Sequence, residues 1–314
     1  VVNEIFQLPI IVNIFASTIR IATPLLLASM GELVTEHAGV WNMGLEGTVL
    51  TGAYVGFLVA NKSGSLLLAV VAAIIAGGSM SLIMAFMASS LKLDQTVIGM
   101  TLNLLASGAT IFWYKIAFQD PGEHAFPTIS TFDIVRIPIL ADIPILGEIL
   151  FSHKALTYIA FLMIPIIWFF LYRTRPGLQL RSIGENPQAV DMRGINVTRH
   201  QYFGVIFGGM MAGLAGSFLT LGASDRFIPE MSAGRGWLAI VIIIAGNWRP
   251  IRILFVTLAF AFIDAFQLQL QGIGVHIPYQ FLLVLPYVFA IIAMMGSRAR
   301  STAPSWLGIP YSRE

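Results

Sequence analysis

GELVTEHAGVWNMGLEG, residues 31–47, is polar and glycine-rich, carries Glu32, Glu36, His37 and Glu46, and lies between two apolar runs each long enough to enter a membrane. A bilayer holds no water for free backbone groups, so irregular chain beside a membrane span survives only against protein or a solvated cavity. Glu32, Glu36, Asn42 and Glu46 are therefore expected to face something other than lipid. Such a break reads as part of a solute path.

Composition places the chain in the membrane. Hydrophobic residues make up 57% of its 314 positions and charged residues 11%, with a mean hydropathy of +0.81, whereas a soluble domain carries about 25% charge. The net charge of +2 is small, and the arginines cluster beside apolar runs, so nothing beyond the pI of 9.0 points to nucleic acid, and none is expected as a partner. There is no cysteine, which excludes disulfides, thiolate metal sites and thiol nucleophiles. The histidines 37, 124, 153, 200 and 276 have no ligand spacing, and no metal site is expected.

With about 20 residues needed to cross the hydrocarbon core, the chain parses into about eight or nine membrane segments: 8–30, 43–60, 66–90, 96–118, 155–172, 202–222, 236–248, 252–271 and 278–296. The expected fold is all-α, a polytopic transmembrane helical bundle with broken or re-entrant helices. Segment 236–248 is short, apolar and bracketed by Gly234, Gly236, Gly246 and Pro250, as a broken helix would be. Arginines in 173–200 and after 296 put both regions in the cytoplasm, and the acidic connection 119–154 outside. Four crossings must separate the two basic regions, so segment 236–248 is expected to cross, leaving Arg249 and Arg252 at the inner face.

The longest inner hydrophilic stretch, RPGLQLRSIGENPQAVDMRGINVTRHQ at 175–201, contains Asn186-Pro187, which reads as a helix start. A short helix over Gln188 to Met192, ended by Gly194, would expose Ala189, Val190 and Met192 to a soluble partner. Composition alone favours an ordinary basic loop.

Three pieces, PLLLASMGELVTEHAGVWNMGLEGTVLTGAY (24–54), LRSIGENPQAVDMRGINV (180–197) and GRGWLAIVIIIAGNWRP (234–250), resemble in order and spacing the permease subunits of bacterial ABC importers, in the nucleoside branch related to ribose and branched-chain amino-acid permeases. The resemblance implies a single transmembrane permease domain over 1–314 with a cytoplasmic coupling loop at about 173–200. It implies that Gly184 to Gly194 is the helix that docks on a cytoplasmic ATPase, through Glu185, Asn186, Pro187, Ala189 and Gly194. It further implies a second, related permease, an extracytoplasmic substrate-binding lipoprotein, a nucleoside as the small-molecule substrate, and ATP and Mg held by the partner ATPase, with no cofactor on this chain. The location implied is the bacterial cytoplasmic membrane, where the chain is a multi-pass protein embedded in lipid. The Asn-x-Gly-x-Glu-Gly form at 42–47 is similar to the nucleoside branch rather than to sugar or branched-chain amino-acid relatives. Trp41 departs from the smaller aliphatic residue expected there, a change assigned to packing.

Read physically, Asn42 and Glu46 are four apart and share a helix face. Glu46 either contacts substrate or caps a neighbouring broken helix. Asn103, Asp264, Gln267 and Gln271 are polar positions inside otherwise apolar spans, and the last three recur on one face, lining either a path or a subunit contact. Trp237 and Phe266 offer surface on which a base could stack, although aromatic residues in membrane proteins more often face lipid or core.

No phosphate-binding Gly-x-x-x-x-Gly-Lys-Ser/Thr loop, Gly-x-Ser-x-Gly elbow or His-Glu-x-x-His helix occurs. ATP hydrolysis must then come from another chain, and chemistry on a substrate is not expected. The leading expectation is the permease half of an ATP-driven importer working by alternating access. The same machine carrying ribose or another small solute is an alternative. So is an ion-coupled secondary transporter using Glu46 and Asp264. An intramembrane enzyme ranks last for want of a nucleophile pair.

Overall fold

A computed structural model describes residues 8–118, 127–272, 284–286, 288–292, 295 and 302–312. The apolar runs become helices because a chain without water must satisfy its backbone internally. In order these are α1 (Leu8–His37), α2 (Leu45–Ser63), α3 (Leu66–Ala85, prolonged by a π-helical turn Phe86–Ser90) and α4 (Gln95–Phe118). After the long connection come α6 (Ala155–Arg173), α7 (Arg175–Glu185), α8 (Pro187–Asp191), α9 (Val197–Ser217, prolonged by a π-helical turn Phe218–Ala223), α10 (Arg235–Ala245) and α11 (Pro250–Gly272). Among the described residues six helices are long and apolar enough to cross a membrane: α1, α3, α4, α6, α9 and α11, with α3 and α9 counted together with their π-helical turns. The chain is thus an all-α multi-pass membrane bundle.

One expectation changes, the long connection gains structure, and one segment lies largely outside the described residues. The first apolar segment does not stop at 30: α1 continues to His37, and the break shrinks to residues 38–44, where Gly39 takes φ +81°. Leu33, Val34 and the two glutamates are adequate helix formers, and both carboxylates find donors elsewhere in the fold, so no unwinding is needed. The connection 119–154 carries a short α5 (Leu146–Leu150) and an antiparallel hairpin of β1 (Ile134–Arg136) with β2 (Ser152–Lys154), Val135 opposite His153. Segment 278–296 lies largely outside the described residues, although 284–286 and 288–292 are helical; Arg298, Arg300 and Arg313 lie outside them altogether.

α9 runs through the centre, packed on α1, α2 and α3. Its glycines allow this. A Cβ on Gly209 would stand 2.1 Å from Ser81 Oγ and 2.5 Å from the Gly77 carbonyl, and one on Gly213 would stand 2.2 Å from the Ala73 carbonyl. Backbones at such separation gain dispersion contacts that no side chain supplies, the usual way for helices to associate where lipid removes the hydrophobic drive. The main apolar cluster joins Leu26, Leu33 and Val34 of α1 to Ile167 and Leu171 of α6, Ala212 and Ala215 of α9 and Ile242 of α10.

The two faces of the bundle are identifiable. Backbone bonds from Ile129 to the Asp225 carbonyl and from Phe132 to the Leu221 carbonyl place 221–225 with the acidic connection. Asn247 meets Thr302 on the opposite, arginine-rich face. The chain therefore passes from one face to the other between 225 and 247, as expected of the seventh segment. It does so as irregular backbone followed by an 11-residue helix, about 16 Å long against a core of about 30 Å.

Candidate functional site at the helix break

The break after α1 folds back into the bundle. The Asn42 backbone N–H donates to Glu32 Oε1 at 3.0 Å, returning the chain level with a residue more than one turn above the end of α1. Asn42 Oδ1 then accepts from Gly44 N at 3.0 Å and turns the chain into α2. Glu46 is one turn further on. By helical rise it stands about 13 Å from the end of α1, inside the bundle.

At that depth Glu46 meets the start of α10. Its Oε1 accepts from Gly234 N at 2.8 Å and its Oε2 from Gly236 N at 2.6 Å. A carboxylate at a helix N-terminus satisfies orphan N–H groups and lies at the positive end of the helix dipole. Gly236 is required for the approach, because a Cβ there would lie 2.5 Å from the Glu46 Cα. Of the two roles left open for Glu46, the fold adopts the cap, and both oxygens are occupied by backbone donors.

Asn103 of α4 completes the junction. Its Oδ1 accepts from Gly47 N at 2.7 Å and its Nδ2 donates to the Met43 carbonyl at 2.8 Å, so one amide holds both ends of the first turn of α2. Gln95 Oε1 accepts from Trp41 N at 2.7 Å. Ser107 Oγ donates to Glu230 and so ties α4 to the irregular segment before α10. Gln95, Ser107 and Glu230 carried no sequence signal, since each lies far along the chain from its partner.

Below the cap, Glu36 accepts from the Trp248 indole N–H at the far end of α10. Glu32 and Glu36 are 0% and 1% exposed, and Glu32 Oε2 and Glu36 Oε1 have no hydrogen-bond partner among the described residues. The half-helix is thus held by α2 at its start and by α1 at its end. Arg235 bonds the Met231 and Ser232 carbonyls. It also lines a cavity of about 190 Å³ with Asp264, Gln267, Phe260 and Leu238. Gln271 is exposed and does not line that cavity. Trp237 is 38% exposed beside the cap, and Phe266 stacks on Phe262 with centroids 6.2 Å apart.

On the basic face, Asn186 caps α8 by accepting from Ala189 N at 3.0 Å, with Pro187 at its first position. Gly194 ends the segment at φ +78°, and Met192 is 83% exposed. Val190, expected outside, is buried against Ile183 and Val197, because the five-residue helix turns that side inward onto α7 and α9. Glu185 accepts from Ser305 Oγ at 2.8 Å. A cavity of about 1040 Å³ lies here, lined by Glu185, Asn186, Ala189, Trp168, Arg249 and Arg252 among others. Among the described residues no cluster of His, Asp and Glu suited to a metal ion occurs.

Three related proteins frame this geometry. A Haloferax volcanii protein named "Putative glucose ABC transporter permease protein TsgC13" is 37% identical over 262 residues, 82% of this chain and 78% of its own length. The guanosine ABC transporter permease protein NupQ of Bacillus subtilis is 36% identical over 307 residues, 95% of this chain and 96% of its own. The nucleoside ABC transporter permease protein NupC of Lactococcus lactis is 32% identical over 319 residues, covering 98% of each. No solved structure matches the chain. The family described as the permease component of the branched-chain amino acid transport system matches residues 14–295. A multi-pass bundle with a carboxylate-capped half-helix, similar along nearly its whole length to ABC transporter permeases, belongs to that permease family.

Proposed function

We propose that this chain is the membrane-spanning subunit of an ATP-driven importer of nucleosides in the bacterial cytoplasmic membrane. The carrying observation is the likeness over nearly the full length to two permeases named for guanosine and nucleosides. The 37%-identical relative named for glucose favours a second reading in which the same machine carries a sugar. The assembly comprises a second, related permease, an external substrate-binding lipoprotein and cytoplasmic ATPase subunits, on which ATP and Mg reside.

In this reading the ATPase docks on residues 184–194, which project Asn186, Gln188, Met192 and Arg193 from the basic face. The cavity beside Glu185 and Ala189 gives that surface its relief. ATP hydrolysis on the partner supplies the free energy, and α7–α8 transmits it to the bundle. The moving part is the junction of Asn42, Glu46 and Asn103 with the half-helix. Hydrogen bonds to backbone at a helix start are all-or-none contacts, and such junctions favour two discrete arrangements over gradual bending. Trp237, beside the cap, offers a base a stacking surface, and the Asp264–Gln267 pair offers hydrogen-bond partners to ribose hydroxyls.

The test is uptake of labelled guanosine, glucose and leucine in cells lacking this chain, with ATP depleted at constant membrane potential. Loss of guanosine uptake that depends on ATP and persists without an ion gradient is expected. Loss of glucose uptake alone would replace the substrate, and gradient dependence would overturn the ATP-driven mechanism.

A further inference from the structure

The segment 302–312 crosses the basic face and touches, within a few residues, every element that the transport mechanism needs to move together. Thr302 N donates to Asn247 Oδ1 at 2.7 Å, at the turn that ends the half-helix. Ser305 Oγ donates to Glu185 Oε2 at 2.8 Å, and Trp306 N donates to the Gly184 carbonyl at 2.8 Å, both at the end of α7. Gly308 N donates to the Gly39 carbonyl at 3.2 Å, in the helix break itself. Tyr311 OH donates to Asp191 Oδ2 at 3.0 Å on α8. Pro304 is buried and Leu307 joins the main apolar cluster, so the segment is packed as well as bonded.

The contacts beneath it are as close as backbone permits. A Cβ on Gly184 would stand 2.5 Å from the His37 carbonyl and 3.1 Å from Pro304 Cβ, and one on Gly39 would stand 3.6 Å from Gly184 Cα. A Cβ on Gly308, at φ +78°, would stand 3.7 Å from the Trp41 ring, so this glycine neighbours the residue that departs from the motif. Three residues, 306 to 308, span at most about 10 Å of chain, so the coupling helix and the break are clamped by a tether too short to stretch.

We infer that residues 302–312 form a strap that locks α7–α8 to the helix break and to the lower end of the half-helix, and that Ser305, Tyr311 and Glu185 are positioning residues for coupling. The inference rests on the docking role given above to residues 184–194. It also gives Glu185 a specific task, holding the strap, in place of contact with the ATPase.

The experiment uses the assembled transporter in proteoliposomes with its binding protein, reading ATP hydrolysis and labelled guanosine uptake together. The double variant Ser305→Ala with Tyr311→Phe removes two strap bonds and leaves the backbone bonds and Pro304 packing in place. Hydrolysis within twofold of the parent, with uptake at least threefold lower and restored in part by Ser305→Thr, is expected. Unchanged uptake, or a parallel fall of both activities, overturns the strap. Since the chain has no cysteine, the pair Glu185→Cys with Ser305→Cys is bridged by a short bis-methanethiosulfonate. Uptake is expected to be low before bridging and to recover after it; failure to recover in a bridged complex also overturns the inference. Ala189→Arg serves as the separate control on docking. If it leaves the ATPase bound and transport intact, the docking reading fails; if it abolishes binding while the strap variants match the parent, the strap alone fails.

Discussion

Glu46 is one residue with two open roles in the sequence and one occupation in the fold. Both oxygens serve the start of α10, so its removal leaves two backbone N–H groups without these acceptors. Loss of a helix cap costs about 1–2 kcal/mol, and each 1.4 kcal/mol is about tenfold in a rate or an equilibrium. Glu46→Gln is expected to lower uptake roughly tenfold and Glu46→Ala further, with the permease still assembled; parent-level uptake in both would remove the cap from the mechanism. Gly236→Ala should reproduce the Glu46→Ala defect, since the added methyl collides with the Glu46 backbone. Asn103 offers a second test. Asn103→Leu leaves the Met43 carbonyl and Gly47 N–H without partners, about 1–3 kcal/mol for each group. A melting temperature in detergent lower by several degrees is expected, and an unchanged one would show that the α2 start is held by other contacts.

Among the elements, α9 has the least tolerance for change. Gly209→Ala must push α9 from α3, because backbone and Ser81 both lie within 2.5 Å of the new methyl. Overpacking of this kind costs about 1–3 kcal/mol. The variant is expected to melt lower, whereas Gly108→Ala, open on all sides within 4 Å, should match the parent; equal behaviour of the two would refute the packing account. The hairpin β1–β2 carries a pH dependence. His153 is buried, its Nε2–H donates to the Ile149 carbonyl at 2.7 Å, and burial holds the imidazole below its ordinary value. A lowered folded value means that the unfolded hairpin binds more protons in the window just below about pH 6.5, so stability falls as the pH drops through it. Amide-exchange protection over 134–154 should therefore be lower at pH 5.5 than at pH 7.5, and lose that difference in His153→Gln. Protection independent of pH would mean that the ring binds protons equally in both states and that burial does not lower its value.

For the whole molecule, the orientation expected from the arginine distribution is open to direct test, because the chain is free of cysteine. Lys62→Cys and Met192→Cys, at opposite ends of the bundle, should react with a membrane-impermeant maleimide from opposite sides, the first in intact cells and the second only in inverted vesicles. Labelling of Met192→Cys in intact cells and of Lys62→Cys only in inverted vesicles would reverse the assignment of faces and remove residues 184–194 from the reach of a cytoplasmic ATPase. The same two-faced arrangement explains why the half-helix crosses without being long enough. Irregular chain after Ala223 covers the remaining depth, sheltered by α4 through Ser107 and Glu230, where a lipid-facing loop would leave its backbone unsatisfied.

Membrane class, most span positions, the Asn186-Pro187 helix start and the permease resemblance were all legible in the residues, because hydropathy, charge asymmetry and caps are local properties of the chain. The polar interruption at 31–47 was legible as a demand for partners, since a buried polar group in hydrocarbon must be paired. Which partners it finds was not. Glu46 bonds residues 188 and 190 positions away, Glu36 a tryptophan 212 away, and Glu185 a serine 120 away. Nothing in local composition separates Asn103, which staples α2, from Gln271, which faces outward. The sequence alone determined that these groups had to be satisfied inside a membrane; the tertiary packing that brings α1, α2, α4 and α10 together decided which of them meet.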